Sequence, residues 1–195
     1  MRQSPRQPDL LDLLDGMRSL FEKRLVGPFE GLVFRSVSKD YAKDPDLLSG
    51  NGAFEHAGRW NPKGVFRAVH GSESPELALS EALAVGRRSG FPDEQQLPRV
   101  TRAIRVRLSR VLDLRHPAVL RELKVTIRQL KSHTWWQSPK AGQEALTQSI
   151  GRAASETGFE GIIVPSAVSK SEFNLIVFPS NLSARSRMEI GDSGY

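Results

Sequence analysis

Between Val100 and Leu108 the chain alternates with period two. Val100, Ile104, Val106 and Leu108 face one way; Thr101, Ala103, Arg105 and Arg107 face the other. Only an extended strand places every second side chain on one face, so this segment specifies a strand with one dry and one wet side. Val111–Leu114 reads as its continuation or as a neighbour. Two apolar runs, Gly161–Pro165 (GIIVP) and Asn174–Phe178 (NLIVF), read as further strands. So does Gly31–Val37, with Arg35 inside it, and Val65–His70 can form another. These strands are short and separated by irregular helices and long loops. That spacing predicts an α+β sheet protein rather than a regular doubly wound βαβ array.

Helices are equally legible. Asp9 can cap a helix carrying Leu10, Leu13, Leu14, Met17, Leu20, Phe21 and Leu25, an apolar stripe of about four turns closed by Gly27–Pro28. Its apolar face is expected to pack on the main domain, a dimer or partner contact being the alternative. Ser74 as N-cap, Pro75 at the first position and Glu76 in the first turn start a second helix that runs to about Gly90. Further helical segments are expected at about 117–131 and 142–157, with Trp135 and Trp136 in Ser132–Gly142 between them. Residues 38–58 form a loop long enough to suggest function. Residues 1–8 are expected to be disordered and 180–195 to fray. The domain division is then 1–30 for the N-terminal stretch and helix, 31–182 for the main domain and 183–195 for a tail.

At 195 residues the chain can bury a core without staples, and it has no cysteine, which rules out a disulfide framework, a thiolate nucleophile and a cysteine zinc site. The formal net charge of +6 favours an anionic partner without choosing among nucleic acid, acidic protein and phosphorylated small molecule. Arg102, Arg105, Arg107, Arg110 and Arg115 contribute to it, and a solvated strand face is the plain reading of that series. Asp9, Asp12 and Asp15 break up any secretory signal at the N-terminus. No stretch approaches the roughly 18 apolar residues of a membrane span. A cytoplasmic protein is expected.

P-loop, GxGxxG, HExxH and GxSxG motifs are all missing. His56, His70, His116 and His133 lack the local pairing of a helical zinc motif, so no metal is expected. Glu81 is more informative, because it falls on the stripe of Leu77, Ala78, Ala82 and Val85. An inward carboxylate needs a partner or a polar cleft, and spacing alone leaves a salt bridge and a binding cleft equally open. In Gly58–Arg59–Trp60–Asn61–Pro62–Lys63–Gly64, glycine permits close backbone approach, arginine suits phosphate oxygens and tryptophan can stack on a flat ring. A tight turn with a surface arginine explains the same residues. Ser166, just past an apolar strand, is a ligand contact or simply a cap; nothing local activates it as a nucleophile.

Taken in order, VFRSV at 33–37, GRWNPKG at 58–64, SPELALSEAL at 74–83, RVLDL at 110–114, TQSIGRAASETGFEGIIVPSA at 147–167 and NLIVFPSNL at 174–182 resemble the RES domain family over about Leu32–Leu182. That family comprises bacterial toxins and relatives named for an arginine, a glutamate and a serine. The resemblance implies an ADP-ribosyltransferase-like core: short strands in a split, mostly antiparallel sheet with flanking helices, here preceded by an amphipathic helix. It implies NAD as substrate, consumed by hydrolysis, phosphorolysis or ADP-ribosyl transfer to a protein target. It also implies a cognate antitoxin with an Xre-type helix-turn-helix. By the same resemblance Arg59, Glu81 and Ser166 are the family's catalytic residues, and Arg35, Gly58, Trp60, Asn61 and His70 join Arg59 and Ser166 around the dinucleotide. His70 stands where the family commonly has a tyrosine. The exchange implies either a pH-dependent activity or a weak, altered or inactive member.

The chemistry implied is economical. Nicotinamide leaves as a neutral base, so no general acid is needed, unlike an ordinary glycosidase with two carboxylates. One preorganised carboxylate, Glu81, can stabilise an oxocarbenium-like ribose. Arg59 then holds pyrophosphate or the nicotinamide side, and Ser166 orients Glu81 or the substrate rather than attacking. Two other readings compete: an inactive RES-like binding module, suggested by His70, and a basic RNA-binding or ribonuclease-type toxin, suggested by charge. The second would show steep salt dependence and ignore NAD; direct nucleic-acid binding and membrane association are not expected.

Overall fold

The computed structural model describes residues 7–132 and 144–191, so the expectations for Trp135, Trp136, His133 and most of residues 1–8 lie outside the described residues. Helix α1 (Leu10–Glu22) opens with a reciprocal cap. Asp12 N–H donates to Asp9 Oδ1 at 3.0 Å, and Asp9 N–H donates to Asp12 Oδ2 at 3.2 Å, which satisfies two backbone donors that the helix start leaves over. Its stripe is real: Leu13, Met17 and Leu20 are fully buried. The helix stops at Glu22, short of Gly27–Pro28, and those two residues instead open strand β1 (Gly27–Ser38). The turn between them is made by Arg24 in a left-handed conformation, a signal that residue type does not announce.

The alternating segment lies in a single 15-residue strand, β3 (Arg99–Asp113), that also absorbs Val111–Leu114 as far as Asp113. Ile104, Val106 and Leu108 are buried while Arg105 and Arg107 are exposed, as period two requires. β3 pairs antiparallel with β1 from Ser38↔Arg99 to Gly27↔Val111, with an irregularity between Gly27 and Phe29. The remaining strands are β2 (Val69–Ser72), β4 (Gly161–Pro165), β5 (Phe173–Val177) and β6 (Arg187–Ile190). β1 meets β2 at Phe34↔Ser72, β2 pairs with β5, β5 with β4, and β4 runs parallel to β3 over Val111–Asp113. These pairings close a ring of five strands.

β6 joins the free edge of β3 at Ile104–Arg107. That corrects the fraying expected over 180–195 for its described part, residues 180–191. Four residues carry too little local pattern to announce a strand, yet Met188 and Ile190 pack on the core and β3 offers an unpaired edge.

Two apolar clusters divide the interior. One lies inside the ring, where Val33, Ile104, Val106, Leu108, Ile163, Leu175 and Val177 meet. The other lies between the sheet and the helices: Leu13, Met17 and Leu20 of α1 meet Ile162, Val164 and Ile176, together with Val119 of α5 (Pro117–Glu122), Leu130 of α6 (Ile127–Leu130) and Ile150 of α7 (Leu146–Glu156). β4 therefore faces apolar surroundings on both sides, and its sequence reads as an unbroken apolar run for that reason. The helix expected over 117–131 is two short ones, parted by a turn with Lys124 in the left-handed region.

Residues 38–58 are not a bare loop but hold α2 (Asp44–Ser49) and α3 (Asn51–Glu55). The basic series is a solvated face with ion pairs: Arg102–Asp44 at 3.6 Å, Arg107–Glu30 at 3.1 Å, Arg110–Glu160 at 3.6 Å and Arg115–Asp113 at 2.8 Å.

Candidate active site

Helix α4 (Pro75–Arg88) forms one wall of a cleft of about 940 Å³. Its start follows the sequence: Ser74 Oγ accepts from the Leu77 N–H at 3.1 Å, and Pro75 occupies the first turn. The apolar stripe splits in two. Leu77, Ala78 and Ala84 are buried, whereas Val85 is 56% exposed, and Glu81, Ala82 and Val85 line the cleft. Glu81 thus faces a cavity rather than a buried partner within the core, which decides between the two readings that spacing left open.

Two side chains hold the Glu81 carboxylate directly, and a third fixes one of them. Ser166, at the end of β4, donates its hydroxyl to Glu81 Oε1 at 2.7 Å, and Asn174 of β5 donates Nδ2 to the same oxygen at 2.7 Å. Ser166 is fully buried, and its Oγ also accepts from the N–H groups of Val168 at 3.1 Å and Ser169 at 3.0 Å. Its one proton is therefore committed to Glu81. A hydroxyl so placed orients a carboxylate and is badly placed to attack anything. Ser72 of β2 donates to Asn174 Oδ1 at 2.7 Å, which fixes the amide with its nitrogen toward Glu81. The adjoining Val164↔Asn174 and Ser72↔Asn174 registers bring this chain of groups together.

Across the cleft lie guanidinium groups. Arg35 sits on β1 and donates Nη1 to the His70 carbonyl at 3.1 Å. Its Nε is buried without a hydrogen-bond partner. Arg59 donates Nη1 to the carbonyls of Leu130 at 2.9 Å and Ser132 at 3.0 Å, which pins the side chain, while its Nη2 is also buried and unpartnered. Arg88, seven residues and two helical turns after Glu81, and Arg99, at the start of β3, line the same cleft. Arg99 donates to Ser36, Nε to Oγ at 3.3 Å and Nη2 to the carbonyl at 3.1 Å.

Burial lowers the pKa of all four. For Arg35 the nearby Arg99 charge adds to the effect; for Arg59 the charge of Glu81 opposes it and that of Arg88 reinforces it; for Arg88 Glu81 opposes it. Among the described residues, Arg35, Arg59 and Arg99 have no carboxylate at ion-pair distance. Asp46, Glu55 and Glu81 line the same cleft, but guanidiniums that no carboxylate reaches at ion-pair distance, those of Arg35, Arg59 and Arg99, can hold an anion there.

The GRWNPKG segment is built as a knot. Asn61 is fully buried; its Nδ2 donates to the carbonyls of Ala53 and, at 3.0 Å, of His56. Its oxygen therefore faces His70, whose Nε2–H donates to it at 3.1 Å. Gly58 N–H donates to the Asn61 carbonyl at 2.9 Å, and Gln148 of α7 donates to the Gly58 carbonyl at 3.0 Å. A Cβ on Gly58 would lie 2.5 Å from Asn61 Oδ1, so glycine is required here for closeness. Gly151 plays the same part on α7, where a Cβ would overlap the Trp60 carbonyl. Asn61 and Gly58 shape the loop that carries Arg59.

Trp60 and His70 are both largely covered, and for His70 an expectation is corrected. Trp60 is 3% exposed and packs mainly in the helix-side core, while it also contributes to the lining of the cleft. His70 does not titrate near neutrality, because burial first and the Arg35 charge second push its pKa down to about 3. The neutral Nε2–H tautomer matches its bond to Asn61. The expected pH dependence from this position is thus removed.

Sequence reasoning missed Asn174, Ser72, Arg88 and Arg99. Asn174 had one signal, an amide at the head of an otherwise apolar strand; Arg88 had another, its seven-residue spacing from Glu81.

The model of the RES domain matches residues 32–193. This chain belongs to the RES domain family. Its curated relatives include the NAD(+) phosphorylase MbcT of Mycobacterium bovis and of Mycobacterium tuberculosis, each 27% identical over 124 residues. The aligned stretch covers 63% of this chain, and the chain spans about 62% of the length of those relatives. Among solved structures, that of the M. tuberculosis MbcT–MbcA toxin–antitoxin complex superposes on this RES domain with a TM-score of 0.69 at 19% identity. The match covers 93% of this chain and 90% of that one, so the two share their fold. In this RES domain the arginine, glutamate and serine that the resemblance named are adjacent in space: Ser166 bonds Glu81, and Arg59 lines the cleft that Glu81 faces.

Proposed function

We propose that this RES domain cleaves the nicotinamide–ribose bond of NAD, with Glu81 at the ribose and inorganic phosphate as acceptor. The observation that carries the proposal is the Glu81 carboxylate, held by two donors on one oxygen in a cleft lined by guanidiniums. As the bond breaks, the pyridinium becomes neutral nicotinamide and positive charge moves to the ribose. A carboxylate already fixed in place stabilises that charge without reorganising. Ser166 and Asn174 are positioning residues for it. Arg35 and Arg99 lie close enough to repel one another, and their two positive charges suit the two negative charges of the pyrophosphate. Arg59 lies within the field of Glu81 and serves the nicotinamide-ribose end.

The choice of phosphate over water or a protein side chain follows the activity printed in the name of the MbcT relatives. In the same way, the MbcT–MbcA complex supports a toxin restrained by an antitoxin, which we place in the Xre-type helix-turn-helix class, with both partners in the cytoplasm where NAD is available. The RNA-binding reading loses support, because three arginines of β3, Arg102, Arg107 and Arg110, are paired with carboxylates. An inactive module is disfavoured because His70 leaves the Glu81 network whole. The test is incubation of the purified protein with NAD, with and without phosphate, following products by mass. Nicotinamide with ADP-ribose 1″-phosphate supports phosphorolysis. Nicotinamide with free ADP-ribose replaces the acceptor by water, ADP-ribosylated protein replaces it by a side chain, and intact NAD overturns the proposal.

A further inference from the structure

Arg59 and Glu81 are each held by hydrogen bonds to chain segments behind the cleft. Arg59 is pinned by the carbonyls of Leu130 and Ser132, at 2.9 and 3.0 Å, one on either side of Lys131. Those carbonyls belong to the end of α6, a helix of four residues. So short a helix does not hold itself, and its place depends on what its side chains grip. Leu130 is fully buried in the helix-side core. Lys131 points the other way, and its Nζ donates to the Ser169 carbonyl at 3.0 Å.

Ser169 lies in the turn from Ser166 to Glu172 that joins β4 to β5. The turn is closed on itself. Ser166 N–H donates to the Glu172 carbonyl at 3.1 Å, the N–H groups of Val168 and Ser169 donate to Ser166 Oγ, and Glu172 N–H donates to Ser169 Oγ at 3.3 Å. It is also fastened to α4, since Ser74, the N-cap of that helix, donates Oγ to Glu172 Oε1 at 2.5 Å, and Ser166 donates to Glu81. The turn and α4 thus form the stiff side of the site, and Lys131 ties the end of α6 to it. A continuous path of hydrogen bonds runs from Glu81 through Ser166, Ser169 and Lys131 to the segment that pins Arg59. Lys131 itself does not line the cleft.

We infer that Lys131 is a positioning residue that holds Arg59 at a fixed distance from Glu81. Arg59 and Glu81 lie in one another's field yet form no ion pair among the described residues. Opposite charges in one cleft draw together unless each is fastened, and a salt bridge between them would fill the place meant for the nicotinamide ribose. The bond from an ammonium to a carbonyl is charge-assisted and roughly twice as strong as a neutral one, which suits it to resist that pull. The inference rests on the NAD-cleaving reading above, and it adds to that reading a residue that acts through Arg59 without touching substrate.

The test uses the full chain and reads nicotinamide release, which reports cleavage whatever the acceptor. Lys131→Met keeps the stem and removes the donor. Its kcat should fall roughly tenfold while the KM for NAD moves less than about threefold, because the pyrophosphate is held elsewhere by Arg35 and Arg99. Lys131→Arg restores a donor of similar reach and should recover most of the loss. In an Arg59→Gln background the same Lys131→Met change should cost less than about twofold, since the group it positions is gone, whereas a merely structural loss would multiply the two effects. Nitrogen NMR of the arginine side chains reads the pin without turnover: Arg59 should give separate Nη1 and Nη2 signals in the unaltered protein and merged ones in Lys131→Met. Should Lys131→Met fail to fold, Lys131→Gln, polar but too short to reach Ser169, replaces it throughout. A kcat loss under about threefold, a KM that rises as much as kcat falls, or effects that multiply with Arg59→Gln would overturn the role. So would Arg59 signals that stay separate in Lys131→Met. Intact NAD with the unaltered protein refutes the functional reading instead, and the Arg59 signals still decide whether Lys131 holds the arginine.

Discussion

Replacing Glu81 by glutamine removes a charge and almost nothing else. The glutamine carbonyl can accept the same two bonds, from Ser166 Oγ and Asn174 Nδ2, each now 2.7 Å from Oε1. The amide nitrogen takes the place of the other oxygen. Two charge-assisted bonds become neutral ones, a loss of about 1 kcal/mol each, partly offset because a half-buried charge is no longer desolvated. A net cost near 1 kcal/mol corresponds to about 2–4 °C in Tm for a chain of this size. Catalysis should suffer far more. A preorganised group facing developing charge in a cleft contributes on the order of 3–4 kcal/mol to the transition state, so kcat should fall about 10²–10³-fold. The assay is nicotinamide release under saturating NAD and phosphate, with Tm and circular dichroism measured on the same preparation. A variant that folds normally and keeps more than a tenth of its kcat would refute the electrostatic role of Glu81. A collapse in Tm would instead show that the carboxylate is structural.

Asn174→Ala strips one donor from Glu81 and leaves the Ser72 hydroxyl without its acceptor; kcat should fall about tenfold with a stability cost of about 1–3 kcal/mol, and an unchanged kcat by steady-state assay would remove Asn174 from the site. Gly151→Ala drives a methyl into the Trp60 carbonyl, so a loss of about 1–3 kcal/mol from overpacking is expected by urea denaturation, together with a higher KM for NAD because the displaced loop carries Arg59. His70 has a folded pKa of about 3, below its usual 6.5; the fold therefore prefers the neutral ring, and its contribution is complete above pH 6.5 and erodes as pH falls from there toward 3. Chemical-shift titration of the His70 ring should show no transition between pH 5 and 8, and a midpoint near 6.5 would contradict the burial argument. His70→Tyr is expected to retain activity, and complete loss in a folded variant would give the histidine a task of its own.

On the proposed reading a single carboxylate suffices, because nicotinamide leaves without a proton, and the surrounding polar groups serve to aim that one side chain. Ser166 arrives from the end of β4, Asn174 from β5, Ser72 from β2 and Glu81 from α4. Ser166 shows the consequence most clearly. It was legible as a residue past a strand end, but its role as a donor locked between two backbone N–H groups and Glu81 depends on where the next turn of chain folds back.

The amino-acid order alone determined whatever has a local period or a local cap. The Asp9 and Ser74 helix starts, the two faces of Val100–Leu108 and the doubly covered GIIVP run follow from the repeat lengths of helix and strand, which any stretch of chain carries within itself. So does the placement of Glu81 on the α4 face with Ala82 and Val85. Tertiary structure alone decided whether that face met core or cavity, because a stripe of small and apolar residues packs equally well against either. It also decided the fate of Trp60, His70 and β6. An indole, an imidazole or a four-residue strand takes its environment from segments far away in sequence, and no local pattern records which segments will come to surround it.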